Sequence, residues 1–278
     1  MIISRRIFSA VVALAMAAGT TAMPAMAQEA TQALSRESVI ETIKERGVIK
    51  IGLSVFVPWS MRDKNGDLIG FELDVGRQLA EDMGVEAEFI PTSWDGIIPA
   101  LVSGNFDVII SGMTVTPKRN LTVNFSMPYA YSGMTILANT EMTKGMALED
   151  YNDENITFAA RRGATPATVI AEMFPKAKLL LFDEDGAATQ EVLNGNAHAT
   201  MASEPGPSND ARLNPETLSV PFDQAFAAGG EGFAMRKGDP DALAFFNSWI
   251  TWRANTGWLK ARHDYWFRGN EWESMVEQ

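Results

Sequence analysis

The sequence predicts an α/β protein built as two lobes with a cleft between them. Three observations carry this: strands and helices alternate, the alternation occurs twice, and extended apolar runs separate and follow the two occurrences. In the first unit VIKIGL (Val48–Leu53) reads as a strand. Phe71, Val75, Leu79 and Met83 then recur at four-residue spacing, a helix with one apolar stripe that stops at Gly84. AEFI is a second strand, Trp94–Val102 a short helix with Ile97, Ile98 and Leu101 inward, and FDVIIS a third strand. The second unit repeats the order: ITFAA (Ile156–Ala160), a helix over Pro166–Phe174, KLLLF, a helix over Ala187–Leu193, and AHATMAS. YSGMTILANT runs between the units as extended apolar chain, and GGEGFAMRK (Gly229–Lys237) is a second such run. Asp239-Pro240 then opens a long helix with Leu243, Phe246, Ile250 and Arg253, and Gly257 punctuates it before WLKARHDYW. Ligands of open α/β sheets sit beyond the carboxyl ends of the strands. The turns after VIKIGL, FDVII, ITFAA and AHATMA are therefore expected to line the cleft.

The first residues stand outside this pattern. Arg5 and Arg6 precede the apolar stretch Ile7–Ala18, and Ala25-Met26-Ala27 is a small-residue cleavage site, the order of a secretory signal peptide. SRRIF also fits a twin-arginine export signal, with a general secretory signal the equal alternative. Cleavage after Ala27 leaves 251 of the 278 residues and, with two arginines lost, takes the formal charge from −12 to −14. Such a balance argues against nucleic acid or an anionic membrane surface as partner. The chain has no cysteine, which excludes disulfides, thiolate metal sites, cysteine nucleophiles and a lipid-modified cysteine. With only His198 and His263, a histidine metal site is not expected, and no cofactor motif is present. No later segment has the apolar length to cross a bilayer, so the expectation is an exported, soluble protein.

The turns suggest what the cleft holds. Phe56 and Trp59 flank Pro58 after the first strand and offer aromatic surface there, or ordinary core. After the third strand, Ser111-Gly112-Met113-Thr114 presents backbone N–H groups that glycine lets a ligand approach closely. Thr114 adds a hydroxyl and Arg119 a planar fork of donors suited to a carboxylate. In AARRGATPA, Gly163, Ala164 and Thr165 lie between a strand and a helix N-terminus, where free N–H groups favour an anion. An N-cap by Thr165 with Pro166 at the first helical position explains the same residues and is compatible with that role. Strand alternation points Arg161 or Arg162 toward the same region.

The segments GVIKIGLSVFVPWS, the block from NGDLIGFELDVGRQLAEDMG through VIISGMTVTPKRNLTVNFSMPYAYSG, RRGAT and GFAMRKGDP run in order from about Gly47 to Phe267. In them the chain resembles the bacterial extracellular solute-binding proteins that serve polar amino-acid ABC transporters. The resemblance implies the two-lobed periplasmic-binding-protein fold, two Rossmann-like α/β lobes joined by two crossing strands. It places lobe one at residues 47–130 and 229–278, lobe two at 131–228, and a lead-in at 28–46 after the signal peptide of 1–27. It implies a monomer without cofactor that closes over an amino acid or related carboxylate in the periplasm and presents it to a membrane permease. It implies that Arg119 grips the ligand α-carboxylate with Gly112, Thr114 and the backbone at Ala164 or Thr165. Phe56, Trp59 and Trp94 match positions around the ligand side chain, and Ser54 one where relatives carry a polar or acidic residue. Ser111 belongs to the same turn. Family members usually place an aspartate for the ligand ammonium where this chain has Ser203, with Glu204 next. Either Glu204 swings in, or the alignment shifts by one, or the ligand lacks a free amino group. Arg161 would then welcome a second acidic group or pair with Glu204. An alternative on the same scaffold is a cyclohexadienyl dehydratase-like lyase, with Arg119 holding a carboxylate and Glu204 as general acid. A free-standing ligand-sensing adaptor is a third.

Overall fold

A computed structural model describes residues 38–184 and 186–276. The signal peptide and most of the lead-in expected from the sequence lie outside the described residues. The first described helix, α1 (Val39–Arg46), is capped by Ser38, whose Oγ accepts from the Ile40 N–H, and ends at Gly47 in the left-handed region. Strand β1 (Val48–Leu53) follows, then the small hairpin β2 (Met61–Arg62) and β3 (Leu68–Ile69). Helix α2 (Phe71–Met83) buries Phe71, Val75 and Leu79, the expected stripe, and Gly84 at φ 68° stops it. Strand β4 (Glu86–Pro91), helix α3 (Ile97–Val102) and strand β5 (Val108–Ile109) complete the first unit. Both β4 and β5 pair with β1 in parallel. The helix expected from Trp94 begins three residues later, leaving Trp94 on the preceding turn.

The one-turn helix α4 (Pro117–Asn120) leads into β6 (Asn124–Asn139), a strand of 16 residues. The second unit is β7 (Thr157–Arg161), α5 (Thr165–Met173), β8 (Lys178–Phe182), α6 (Ala187–Leu193), β9 (Ala199–Ser203), α7 (Gly206–Leu213) and the short β10 (Leu218–Ser219). Strand β11 (Ala227–Met235) returns to the first unit, followed by α8 (Pro240–Asn255), α9 (Trp258–Phe267) and a final turn of 3₁₀ helix over Glu271–Met275. Asp239 caps α8 by accepting from the Ala242 N–H at 2.9 Å, as the Asp-Pro pair predicts.

Apart from the β2–β3 hairpin, the described strands share one nine-stranded sheet in the order β4-β1-β5-β11-β6-β9-β7-β8, with β10 on β6. Each outer part is parallel, and the two meet through β6 and β11, which pair antiparallel with each other. At one end β6 meets Met235 and Ala234 of β11; at the other, its residues Met134–Ala138 pair with β9. Register shifts flank Gly232, opposite Pro128. A proline cannot donate to the ladder, and a bulge is where a strand tolerates one. The apolar cores divide along the same line. Ile49, Ile51, Phe71, Phe233, Phe246, Trp249 and Trp266 pack on one side, and Met134, Ile136, Tyr151, Phe158, Phe174 and Met201 on the other.

Candidate functional site

The turn after β5 is tied down from three directions. Ser111 Oγ accepts from the Ser54 N–H at 2.8 Å and lies close to the Ser54 carbonyl, locking the ends of β1 and β5 together. The Val115 N–H donates to Gly230 O at 2.9 Å and Thr114 bridges to Glu231, so the turn is also stitched to the crossing strand β11. Gly112, at φ 53°, packs under Phe56 and Trp59; a Cβ there would meet Phe56 Cζ at 2.7 Å and Trp59 Cδ2 at 3.0 Å. Only glycine suits both the backbone and the space. Its N–H, expected to face a ligand anion, donates instead to Glu72 Oε1 at 2.7 Å and reaches Tyr129 Oη at 3.1 Å. The Tyr129 hydroxyl also donates to Glu72 Oε1, at 2.6 Å. Burial raises the Glu72 carboxyl to about 8 against the pull of those bonds, and repulsion from Glu231 adds to the rise. Burial likewise raises Glu231, whose Oε1 accepts from Ser132, to about 7.

Arg119 sits on α4, where the Thr116 side chain caps its N–H at 3.2 Å. Nη1 donates to Thr114 O at 2.8 Å and to Thr165 Oγ1 at 3.2 Å, and Nη2 to Gly163 O at 3.2 Å. Its guanidinium lies 5.4 Å from the Trp94 ring, and the Arg161 guanidinium 5.6 Å from the same ring. Burial lowers the Arg119 pKa to about 10, which leaves it charged at neutral pH. Among the described residues no carboxylate pairs with it. A desolvated cation held by neutral acceptors is an arrangement an anion would complete.

The second lobe meets this anchor at β7 and α5. Arg161 Nη2 donates to Ser54 Oγ at 2.8 Å, whereas Arg162 turns outward to Asp183 at 2.6 Å. Helix α5 begins at Thr165 with Ala164 as its N-cap and no side-chain cap. The expected Thr165 cap is thus corrected: that hydroxyl accepts from Arg119.

A cavity of about 480 Å³ opens between these elements, within the range of small-molecule sites. Of the residues singled out from the sequence, Phe56, Trp94, Gly112, Thr114, Arg161, Ala164, Thr165 and Ser203 line it. The other five do not. Ser54 and Ser111 are buried and bonded to each other. Trp59 is 1% exposed, stacked on Phe56 and edge-on to Phe71 and Phe267, so it supports the wall from behind. Arg119 stands behind Thr114 and Thr165, both of which line the cavity. Glu204 turns away, its Oε1 accepting from the Thr135 hydroxyl. Sequence reasoning missed Glu72, which reads as an ordinary first-turn acid of α2, and the far wall, where Thr189, Asp210, Arg212, Trp272 and Glu273 also face the cavity.

The family model of the bacterial extracellular solute-binding proteins, family 3, matches residues 49–269. The chain is 29% identical to the L-cystine-binding protein TcyJ of Escherichia coli (strain K12) over 252 residues, 90% of this chain and 93% of that one. It is 25% identical to cyclohexadienyl dehydratase of Pseudomonas aeruginosa over 234 residues, 84% and 87% of the two chains. It superposes on the crystal structure of the ancestral amino acid-binding protein AncCDT-1, a precursor of cyclohexadienyl dehydratase. There the TM-score is 0.75 with 37% identity over 83% of this chain and 99% of that one. Its sheet of two parallel parts joined by two crossing strands agrees with that likeness, and the chain belongs to the bacterial extracellular solute-binding proteins, family 3.

Proposed function

We propose that the protein is the periplasmic binding component of an ABC importer and captures an amino acid or a related carboxylate by closing two lobes over it. Residues 47–130 with 229–278 would move as one lobe and 131–228 as the other, with β6 and β11 as the hinge. The observation that carries this reading is the Arg119 guanidinium, charged, mostly desolvated, unneutralised by any carboxylate among the described residues, and reaching from Thr114 to Thr165 and Gly163. A ligand carboxylate would take over part of that fork, with the Trp94 ring and Phe56 beside its side chain. A closed, liganded form that a membrane permease binds better than the open one would give transport its direction. The protein is expected to act as a monomer without cofactor.

A lyase reading draws on the likeness to cyclohexadienyl dehydratase. The general acid named for it from the sequence, Glu204, has its carboxylate engaged by the Thr135 hydroxyl, which favours binding without chemistry. A thermal-shift screen with α-amino acids, their deaminated and decarboxylated analogues and dicarboxylates tests the reading. A ligand that binds only the folded state raises the melting temperature by mass action. Shifts with carboxylates and none with decarboxylated amines are expected. Shifts with amines alone would refute the Arg119 assignment.

A further inference from the structure

The cavity wall formed by α6 and α7 holds a carboxylate that the anchor around Arg119 does not use. Asp210 lies one turn after Gly206 and almost one turn before Leu213 on α7, and all three face the cavity. Its Oδ2 accepts one hydrogen bond, from Thr189 Oγ1 on α6 at 3.2 Å. No lysine, arginine or histidine pairs with it among the described residues. The other carboxyls nearby are committed or solvated: Glu273 pairs with Arg212 at 2.6 Å, Glu184 is exposed, and Glu204 is bonded to Thr135 outside the cavity. At the end of β9 the wall presents the Ser203 hydroxyl and no carboxylate.

We propose that Asp210 receives a cationic group of the ligand, an ammonium or a guanidinium, and so supplies the acceptor that Ser203 cannot. The inference rests on the binding reading above and narrows its ligand to one carrying a positive group as well as a carboxylate. A half-buried carboxylate with one weak donor is poorly compensated, and a cation delivered by the ligand removes that penalty on binding. Thr189 holds the carboxylate's rotamer and leaves Oδ1 for the ligand. Burial pushes the Asp210 carboxyl pKa up in the ligand-free protein, the sign expected of an acid without a cationic partner.

Calorimetric titration of the wild type and of Asp210→Asn with three probes tests this: L-arginine, L-glutamine, and 5-guanidinopentanoate, which is arginine without its α-amino group. Asn keeps the size and the Thr189 contact but loses the charge. The expected result is a loss of about tenfold or more for the probes whose cation Asp210 receives. A fall for glutamine assigns it to the α-ammonium, and a fall for 5-guanidinopentanoate to the side-chain cation. Equal binding of all three by wild type and variant would overturn the inference and leave the binding reading standing. A wild type that bound no carboxylate ligand, with or without an α-amino group, would overturn both. If Asp210→Asn failed to fold, Thr189→Val would serve instead: it should weaken the same probes a few-fold, and unchanged affinity would contradict the proposal.

Discussion

The turn after β5 and the corner after β9 face the same cavity and are built on opposite lines. At the first, every small residue is committed to the protein itself: Ser111 to Ser54, the Gly112 N–H to Glu72, Thr114 and Val115 to β11. Beside the turn stands one cation, Arg119, held in place by neutral acceptors. At the second, Ser203 offers only a hydroxyl, Glu204 is turned out to Thr135, and a half-buried carboxylate on the cavity wall, Asp210, comes from the following helix. A rigid anchor for a charge shared by a whole ligand class and a looser corner for the group that differs among ligands is a division of labour that suits a binding family. The anchor is also stitched to the crossing strand β11, so capture of a carboxylate and the proposed movement of the lobes would be mechanically joined.

The largest effect should come from filling the anchor. Gly112→Val combines a left-handed backbone with a clash against Phe56 and Trp59, and is expected to lower unfolding stability by about 4 kcal/mol in urea titration. Removing its cation comes next. Arg119→Ala should weaken carboxylate binding by about 3 kcal/mol while leaving the melting temperature of the empty protein near that of the wild type, since a desolvated charge is lost with its bonds. Unchanged binding would dissolve the contrast between the two corners.

The support beneath the anchor has a pH signature. Glu72 is raised from 4.5 to about 8 in the folded state, and Glu231 from 4.5 to about 7. Below pH 4.5 both are protonated folded or unfolded, and their contribution is fully present. As pH rises the unfolded chain releases protons that the folded one retains, so stability falls until the folded groups ionise. A decline between pH 5 and pH 8 is expected in denaturant titrations, and Glu72→Gln should flatten it. A variant slope equal to that of the wild type would mean that Glu72 ionises normally.

Trp94→Leu removes the ring between two guanidinium groups and should cost about 1 kcal/mol of binding. The smallest effect is reserved for the second corner: Glu204→Gln should change ligand affinity by less than about 0.5 kcal/mol. A large loss there would show Glu204 swinging into the cavity on closure and would make the two corners alike.

Much of the fold is legible in the sequence because its signals are local. The stripe Phe71–Val75–Leu79, Gly84 behind it and Asp239-Pro240 each specify an element boundary by themselves. Strand β6 is only half visible, since Pro128 interrupts the pattern and the bulge that admits it is made by a strand about a hundred residues away. At the site, Arg119 and Thr165 can be named from their turns, but what they bond to cannot. The Gly112 N–H reads as free until the packing of α2 brings Glu72 beneath it. Asp210 lies in a short, weakly patterned helix, and its place on the cavity wall depends on how α7 docks against α6. Burial of a lone carboxylate is a tertiary event, and no spacing in the chain announces it.

Recognition of a ligand carboxylate by Arg119 can be measured against an uncharged isostere. An amino acid found to bind would be titrated alongside its α-carboxamide, into wild type and Arg119→Ala. The wild type is expected to prefer the acid by about tenfold or more, and the variant to lose this preference. A wild type indifferent to the change, or a variant that keeps the full preference, would contradict it.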